Sequence, residues 1–214
     1  MQRMREKYVD TLAKLYEYAT TVYSKNQYTQ WYNTKTGGYT YSSFKGKCDS
    51  LSKKLTQYGI GAGDKVAILS QSMPNWSVAF FSIVPFGRIA IPILPDSSEN
   101  EVTNILEHSE SKVIFVSQRL AGKLSQACRD KMTLVIDIDT FDVIQADDEK
   151  FTCDGRTSIP TPDDIATIIY TSGTTGSAKG VVLSHRNLSS NVITCYHSCK
   201  RTEKDRWLSV LPMA

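Results

Sequence analysis

Apolar positions recur at helical spacing near the start of the chain and then give way to short apolar runs separated by helical stretches. Tyr8, Leu12, Leu15, Tyr16, Ala19, Val22 and Tyr23 fall on one face of a helix. Trp31-Tyr32 and Tyr39-Thr40-Tyr41 flank Lys35-Thr36-Gly37-Gly38, a pattern that predicts a β-hairpin. Ser42 or Ser43 is placed to cap a second helix that buries Phe44, Cys48, Leu51, Leu55 and Tyr58 and stops at Gly59. Val66-Ala67-Ile68-Leu69 is then a buried strand. Trp76, Ala79, Phe80, Ile83 and Val84 mark a helix that starts after Pro74 and ends or bends at Pro85. Residues 89–93 are strand-like, and Pro92 suggests an edge strand or a strand end. Ser98 and Glu101 form a capping box ahead of Val102, Ile105 and Leu106. A strand at residues 113–116, a helix carrying Leu120, Leu124, Ala127 and Cys128, and a strand at 134–136 follow.

This order predicts an α/β fold, a largely parallel sheet flanked by helices, preceded by a small helix and β-hairpin. Residues 137–162 interrupt the rhythm with six acidic residues between 137 and 149 and with Pro160 and Pro162, as a solvated excursion would. A second apolar run at 165–169 leads into a glycine-rich stretch. Ser184 then caps a helix with Leu188, Val192, Cys195, Tyr196 and Cys199 on its apolar face.

Composition narrows the class. The 214 residues are 41% hydrophobic and 22% charged, which excludes disorder and fibrous repeats. A net charge of +3, from 25 basic and 22 acidic residues mixed along the chain, gives no basic block and no sign of a nucleic-acid partner. Five cysteines without a C-x-x-C pair do not form a secreted disulfide framework. His185, Cys195, His197 and Cys199 are the nearest approach to a metal set, and their spacing favours ordinary reduced thiols; no metal ligand is expected in the segment. Residues 1–7 are charged and lack a signal core, and the uncharged stretch at 66–87 is broken by Gln71, Pro74 and Asn75. A cytoplasmic protein is the expectation.

The chemistry concentrates in Tyr170-Thr171-Ser172-Gly173-Thr174-Thr175-Gly176-Ser177-Ala178-Lys179-Gly180. Its glycines let the backbone turn and converge N–H groups. Its hydroxyls add donors, and Lys179 adds a mobile cation suited to phosphate. No carboxylate stands between Tyr170 and Arg186 to repel a polyanion. The register is not that of a P-loop, because Lys179 is preceded by Ala178 and followed by Gly180. Gly59-Ile60-Gly61-Ala62-Gly63 follows no strand and fails the dinucleotide fingerprint, so it predicts a helix-to-strand turn.

Residues 170–181 resemble the signature phosphate loop of the AMP-forming, adenylate-forming superfamily, which holds acyl-CoA synthetases, peptide-synthetase adenylation domains and luciferases. Tyr39-Thr40-Tyr41, residues 61–68 and Ile91-Pro92-Ile93-Leu94-Pro95 also resemble segments that precede this loop in that group. Leu211-Pro212-Met213-Ala214 is similar to the long-chain fatty acyl-CoA synthetase branch, and Ala178 departs from the proline many members carry. The resemblance implies ATP, Mg2+ and coenzyme A, with a carboxylate activated as acyl-adenylate and then passed to the coenzyme A thiol. It implies that Thr171, Ser172, Gly173, Thr174, Thr175, Gly176 and Lys179 hold the β- and γ-phosphates.

It implies equally that residues 1–214 are the N-terminal part of an adenylation domain. The apolar ending at Ala214 reads as a cut, and no catalytic residue is expected in the segment. The expectations are an inactive fragment, uncovered apolar surface and self-association. A fatty acid or other carboxylate is the expected substrate, with peripheral membrane contact compatible with a long chain although no basic amphipathic helix stands out. The competing functions are an adenylation domain for an amino or aryl acid, and a self-contained phosphate-binding module.

Overall fold

The computed structural model describes residues 9–31, 38–147, 155–171, 179–198, 202 and 204–209. The elements run α1 (Leu12–Val22), β1 (Gln27–Thr29), β2 (Tyr39–Thr40), α2 (Tyr41–Gln57), β3 (Lys65–Leu69), α3 (Pro74–Ile83), β4 (Ile89–Ile93), α4 (Glu99–Ser109), β5 (Val113–Val116), α5 (Gln126–Lys131), β6 (Leu134–Asp137), β7 (Val143–Ala146), β8 (Ile165–Thr171), β9 (Lys179–Ser184) and α6 (His185–Ser198). Among the described residues, seven strands form one sheet in the order β7-β6-β5-β3-β4-β8-β9. The interior pairs are parallel, and an antiparallel strand closes each end, β7 on β6 and β9 on β8. This is the α/β architecture the pattern predicts.

The apolar runs follow from burial on both faces. Val66 and Ile68 enter a core with Leu12 and Tyr16 of α1, Phe44, Leu51 and Leu55 of α2, and Trp76 and Ala79 of α3. Ala67 and Leu69, pointing the other way as strand geometry demands, join Val102, Ile105 and Leu106 of α4 and Cys128 of α5. None of the described helices is long and apolar enough to cross a membrane.

Several expectations are corrected at element ends. The strand opposite Tyr39 is β1, with Gln27 facing Thr40 and Thr29 facing Tyr39, so Trp31 follows the pairing. Tyr32 and Lys35-Thr36-Gly37 lie outside the described residues. Helix α2 is capped by Thr40, not Ser42 or Ser43: its hydroxyl accepts the Ser43 N–H at 3.2 Å, and Tyr41 is already helical. Gly59 does end that helix, at φ 71°, with Gly59 N–H on the Thr56 carbonyl and Ile60 N–H on the Leu55 carbonyl.

Pro92 is in an interior strand rather than an edge. It faces Ile68 on the β3 side, and β8 registers on β4 two residues earlier, at Ala90 with Thr167. The proline thus falls near the strand end, where its missing N–H interrupts least. The stretch from Leu120 to Cys128 is two pieces, a 3-10 turn at Ala121–Lys123 and α5, because Leu124 is extended and Ser125 caps anew. Inside residues 137–162 the acidic turn leads into β7, whose burial alternates as on a half-exposed edge.

A buried arginine has no signature in the pattern. Arg88 is 0% exposed and donates to the Ile60 carbonyl from Nε and Nη2, to the Ser52 hydroxyl at 2.8 Å and to the Thr56 hydroxyl at 2.7 Å. Burial pushes its pKa down to about 10, so it stays charged at neutral pH.

Candidate functional site

Strand β8 belongs to the parallel set, tied to β4 by the Thr167 hydroxyl donating to the Ala90 carbonyl at 2.8 Å. Its carboxyl end is therefore at the edge of the sheet where open α/β folds place ligands. The chain leaves there at Thr171 and returns antiparallel as β9, with Thr171 facing Lys179, Tyr170 facing Gly180 and Ile169 facing Val181. The two ends of the glycine-rich loop are thus adjacent, and both Thr171 and Lys179 are exposed. The intervening Ser172, Gly173, Thr174, Thr175 and Gly176 lie outside the described residues, as do Ser177 and Ala178.

Beneath this mouth the packing is specific. The Tyr170 hydroxyl is 2.8 Å from Nδ1 of His108, in the last turn of α4, and the two rings meet edge-to-face at 5.6 Å. Burial raises the Tyr170 pKa. A Cβ at Gly180 would come within 2.9 Å of Ile168 Cγ2 and 3.4–3.5 Å of the Tyr170 ring. Glycine at 180 avoids that close approach to Ile168, with the Tyr170 ring beside it. The sequence marks Tyr170 as the start of the motif but not as a packed contact, and nothing in the pattern marks His108.

The other polar groups of this region are engaged at the opposite end of the β8–β9 ladder. Ser184 and Asn187 cap α6 reciprocally, at 2.9 and 3.3 Å. Arg186 forms a two-pronged pair with Asp163, both bonds at 3.0 Å, which lowers the Asp163 pKa and raises that of Arg186. His185 is fully buried, its Nδ1 accepts the Leu12 N–H at 3.2 Å, and burial lowers its pKa. That commitment removes it from any set with Cys195, which is exposed near the far end of α6. Cys199 lies outside the described residues. The expected apolar face of α6 is also largely uncovered: Val192 and Tyr196 are exposed, and Leu188 alone of the described members packs on the core.

The arrangement sets Thr171 opposite Lys179 at the carboxyl edge of a parallel sheet, with no carboxylate in the sequence from Thr171 to Thr202. A curated relative, long chain acyl-CoA synthetase 7, peroxisomal, of Arabidopsis thaliana, is 28% identical over 230 residues, covering 96% of this chain and 33% of its own length. A linear gramicidin synthase polypeptide of Brevibacillus parabrevis is 27% identical over 169 residues, covering 79% of this chain and 3% of its own length. The chain thus spans a third or less of these relatives. Among solved structures, a fatty acyl-adenylate ligase from L. pneumophila in complex with acyl adenylate and pyrophosphate superposes with a TM-score of 0.74 at 20% identity, covering 92% of this chain and 34% of that one, a likeness of fold. The model of the AMP-binding enzyme family matches residues 18–214, and this chain belongs to that family.

Proposed function

We propose that residues 1–214 are the N-terminal part of the adenylation domain of an AMP-forming fatty acyl-CoA synthetase, acting on a long-chain acid in the cytoplasm. In this reading Thr171, Ser172, Gly173, Thr174, Thr175, Gly176 and Lys179 hold the β- and γ-phosphates of ATP. The carrying observation is the meeting of Thr171 and Lys179 at the carboxyl end of β8. When the substrate carboxylate attacks the α-phosphorus, negative charge builds on the departing pyrophosphate. Donors already aimed there stabilise that charge more than the ground state. Mg2+, bound with ATP, would supply further neutralisation of that charge. The fatty-acid assignment rests on Leu211-Pro212-Met213-Ala214 and on the Arabidopsis relative. An amino or aryl acid is the alternative, favoured by the likeness to linear gramicidin synthase.

Residues that bind adenine and ribose, and a second domain completing the thiol transfer to coenzyme A, are proposed to lie outside this chain. Purified and given ATP, Mg2+, palmitate and coenzyme A, it releases no pyrophosphate and forms no acyl-CoA, yet it binds MgATP. Lys179→Ala weakens that binding about tenfold, the loss of one charged hydrogen-bond donor. Turnover by the chain, or unchanged MgATP affinity in the variant, overturns the reading. Pyrophosphate exchange by the longer parent, with palmitate against amino and aryl acids, decides the acid.

A further inference from the structure

We propose that His108 is a positioning residue for the phosphate loop, acting through Tyr170 and Gly180 to hold Thr171 opposite Lys179. The inference rests on the phosphate-binding reading of that loop, but its geometry stands apart from it. Three observations converge. Tyr170 is 7% exposed, and its hydroxyl meets His108 Nδ1 at 2.8 Å across 62 residues of sequence. Tyr170 and Gly180 are direct partners in the β8–β9 ladder, one residue inside the Thr171–Lys179 pair. Gly180 sits against both residues of that face of β8: an added Cβ would crowd Ile168 Cγ2 at 2.9 Å and touch the Tyr170 ring at 3.4–3.5 Å.

The consequence is a clamp built from one side chain on each of two elements. Helix α4 is fixed on the sheet by Val102, Ile105 and Leu106, all in the core beside Tyr170. Its last turn carries His108. The helix thus holds the tyrosine ring from its hydroxyl end, and the ring covers the glycine that follows Lys179. Strand β9 is an edge strand among the described residues, with β8 as its sole partner there. An edge strand is free to fray or slip, and a one-residue slip would move Lys179 away from Thr171 and turn its side chain to the other face. His108 touches neither phosphate nor substrate in this account. It keeps the hydroxyl and ammonium donors at the two loop ends in register.

The clamp predicts coupling that a merely structural contact would not show. His108→Ala and Tyr170→Phe each speed amide exchange at Thr171, Lys179 and Gly180 and weaken inorganic pyrophosphate binding about fivefold, as expected for one lost hydrogen bond. The double variant is no worse than either single one, because both remove the same bond. His108→Gln, which keeps a hydrogen-bonding group there, stays within twofold of the wild type. Exchange in the β3–β5 ladder is unchanged throughout, which separates the effect from loss of the fold. Losses that multiply in the double variant, or a His108→Ala chain matching wild type in exchange and affinity, overturn the proposal. The two readings fail separately. If the wild-type chain binds no pyrophosphate while the ladder responds to His108→Ala, the loop's assignment falls and the clamp stands. If Lys179→Ala weakens pyrophosphate but His108→Ala does not, the assignment stands and the clamp falls.

Discussion

Arg88→Met removes a guanidinium that joins α2, the turn before β3 and the start of β4. Three groups lose a charged donor at good distance: the Ile60 carbonyl, which receives Nε at 3.0 Å and Nη2 at 2.8 Å, and the hydroxyls of Ser52 and Thr56. Hydrogen bonds to a charged group contribute about 1.5–3 kcal/mol each, so the gross loss over the three groups is roughly 4.5–9 kcal/mol. Part of it is offset. Among the described residues no carboxylate pairs with Arg88 directly, and taking a cation out of water costs several kcal/mol, which methionine does not incur. The Thr56 hydroxyl keeps its own bond to the Ser52 carbonyl at 3.1 Å, while the Ile60 carbonyl loses both guanidinium donors. The net destabilisation is about 3 kcal/mol for methionine, and about 2 kcal/mol more for alanine, which also leaves a cavity. Urea unfolding followed by tryptophan fluorescence measures it, with the exposed Arg119→Met as control, expected within about 0.5 kcal/mol of wild type. An Arg88→Met chain as stable as that control refutes the reasoning, because the fork would then contribute nothing beyond its own desolvation.

Two further predictions follow from the same geometry. The His185 pKa is lowered from 6.5 in the fold, so the unfolded chain binds the proton more readily and stability falls as pH drops below 6.5. The paired carboxylates Asp10 and Asp163 lose stability only near and below 3.8, so urea midpoints between about pH 6.5 and 5 isolate the histidine, with a loss of up to about 1.4 kcal/mol per pH unit. His185→Gln flattens that decline, and an unchanged slope refutes it. Val181 and Val182 of the edge strand β9 are 45% and 53% exposed. The chain is expected to self-associate as concentration rises, and Val182→Lys to reduce it; light scattering showing a wild-type monomer at every concentration would count against this.

The parts of the fold that are legible in the sequence are those where one physical demand dominates. Strands β3, β5 and β6 are buried on both faces, so apolar residues run continuously and no other element competes for the pattern. The capping box of α4 is legible because Ser98 and Glu101 satisfy each other's orphan groups within four residues, and both bonds form. The ends of α2 and α5 are decided by choices among neighbouring hydroxyls that the pattern ranks equally: Thr40 over Ser42, and Ser125 splitting one apparent helix. Strand β1 is three residues, Gln27-Tyr28-Thr29, too short for any periodicity. At the site, the glycines and Lys179 carry their chemistry in their identity. The ring of Tyr170, the support of His108 and the fork of Arg88 depend on contacts between residues tens of positions apart, which no local pattern encodes.

On the proposed phosphate-binding reading, the topology also explains why the loop would need its lysine. In a P-loop the phosphates rest on the N-terminus of the following helix, whose aligned dipoles supply about half a positive charge. Here the segment after the loop is a strand, and α6 begins only after Ser184. Ser184 faces Ile165 at the start of β8, so the α6 N-terminus is at the amino end of the parallel strand while the loop is at its carboxyl end. Five residue steps from Lys179 to Ser184, at about 3.3 Å each, put roughly 16 Å between them. That is twice the Debye length of about 8 Å at physiological ionic strength, and the helix dipole fades within its first turn. Arg186, at that same end, is already paired with Asp163. On that reading, charge neutralisation at the loop by the described residues falls to Lys179, and the register of the strand that carries Lys179 matters to the proposed site.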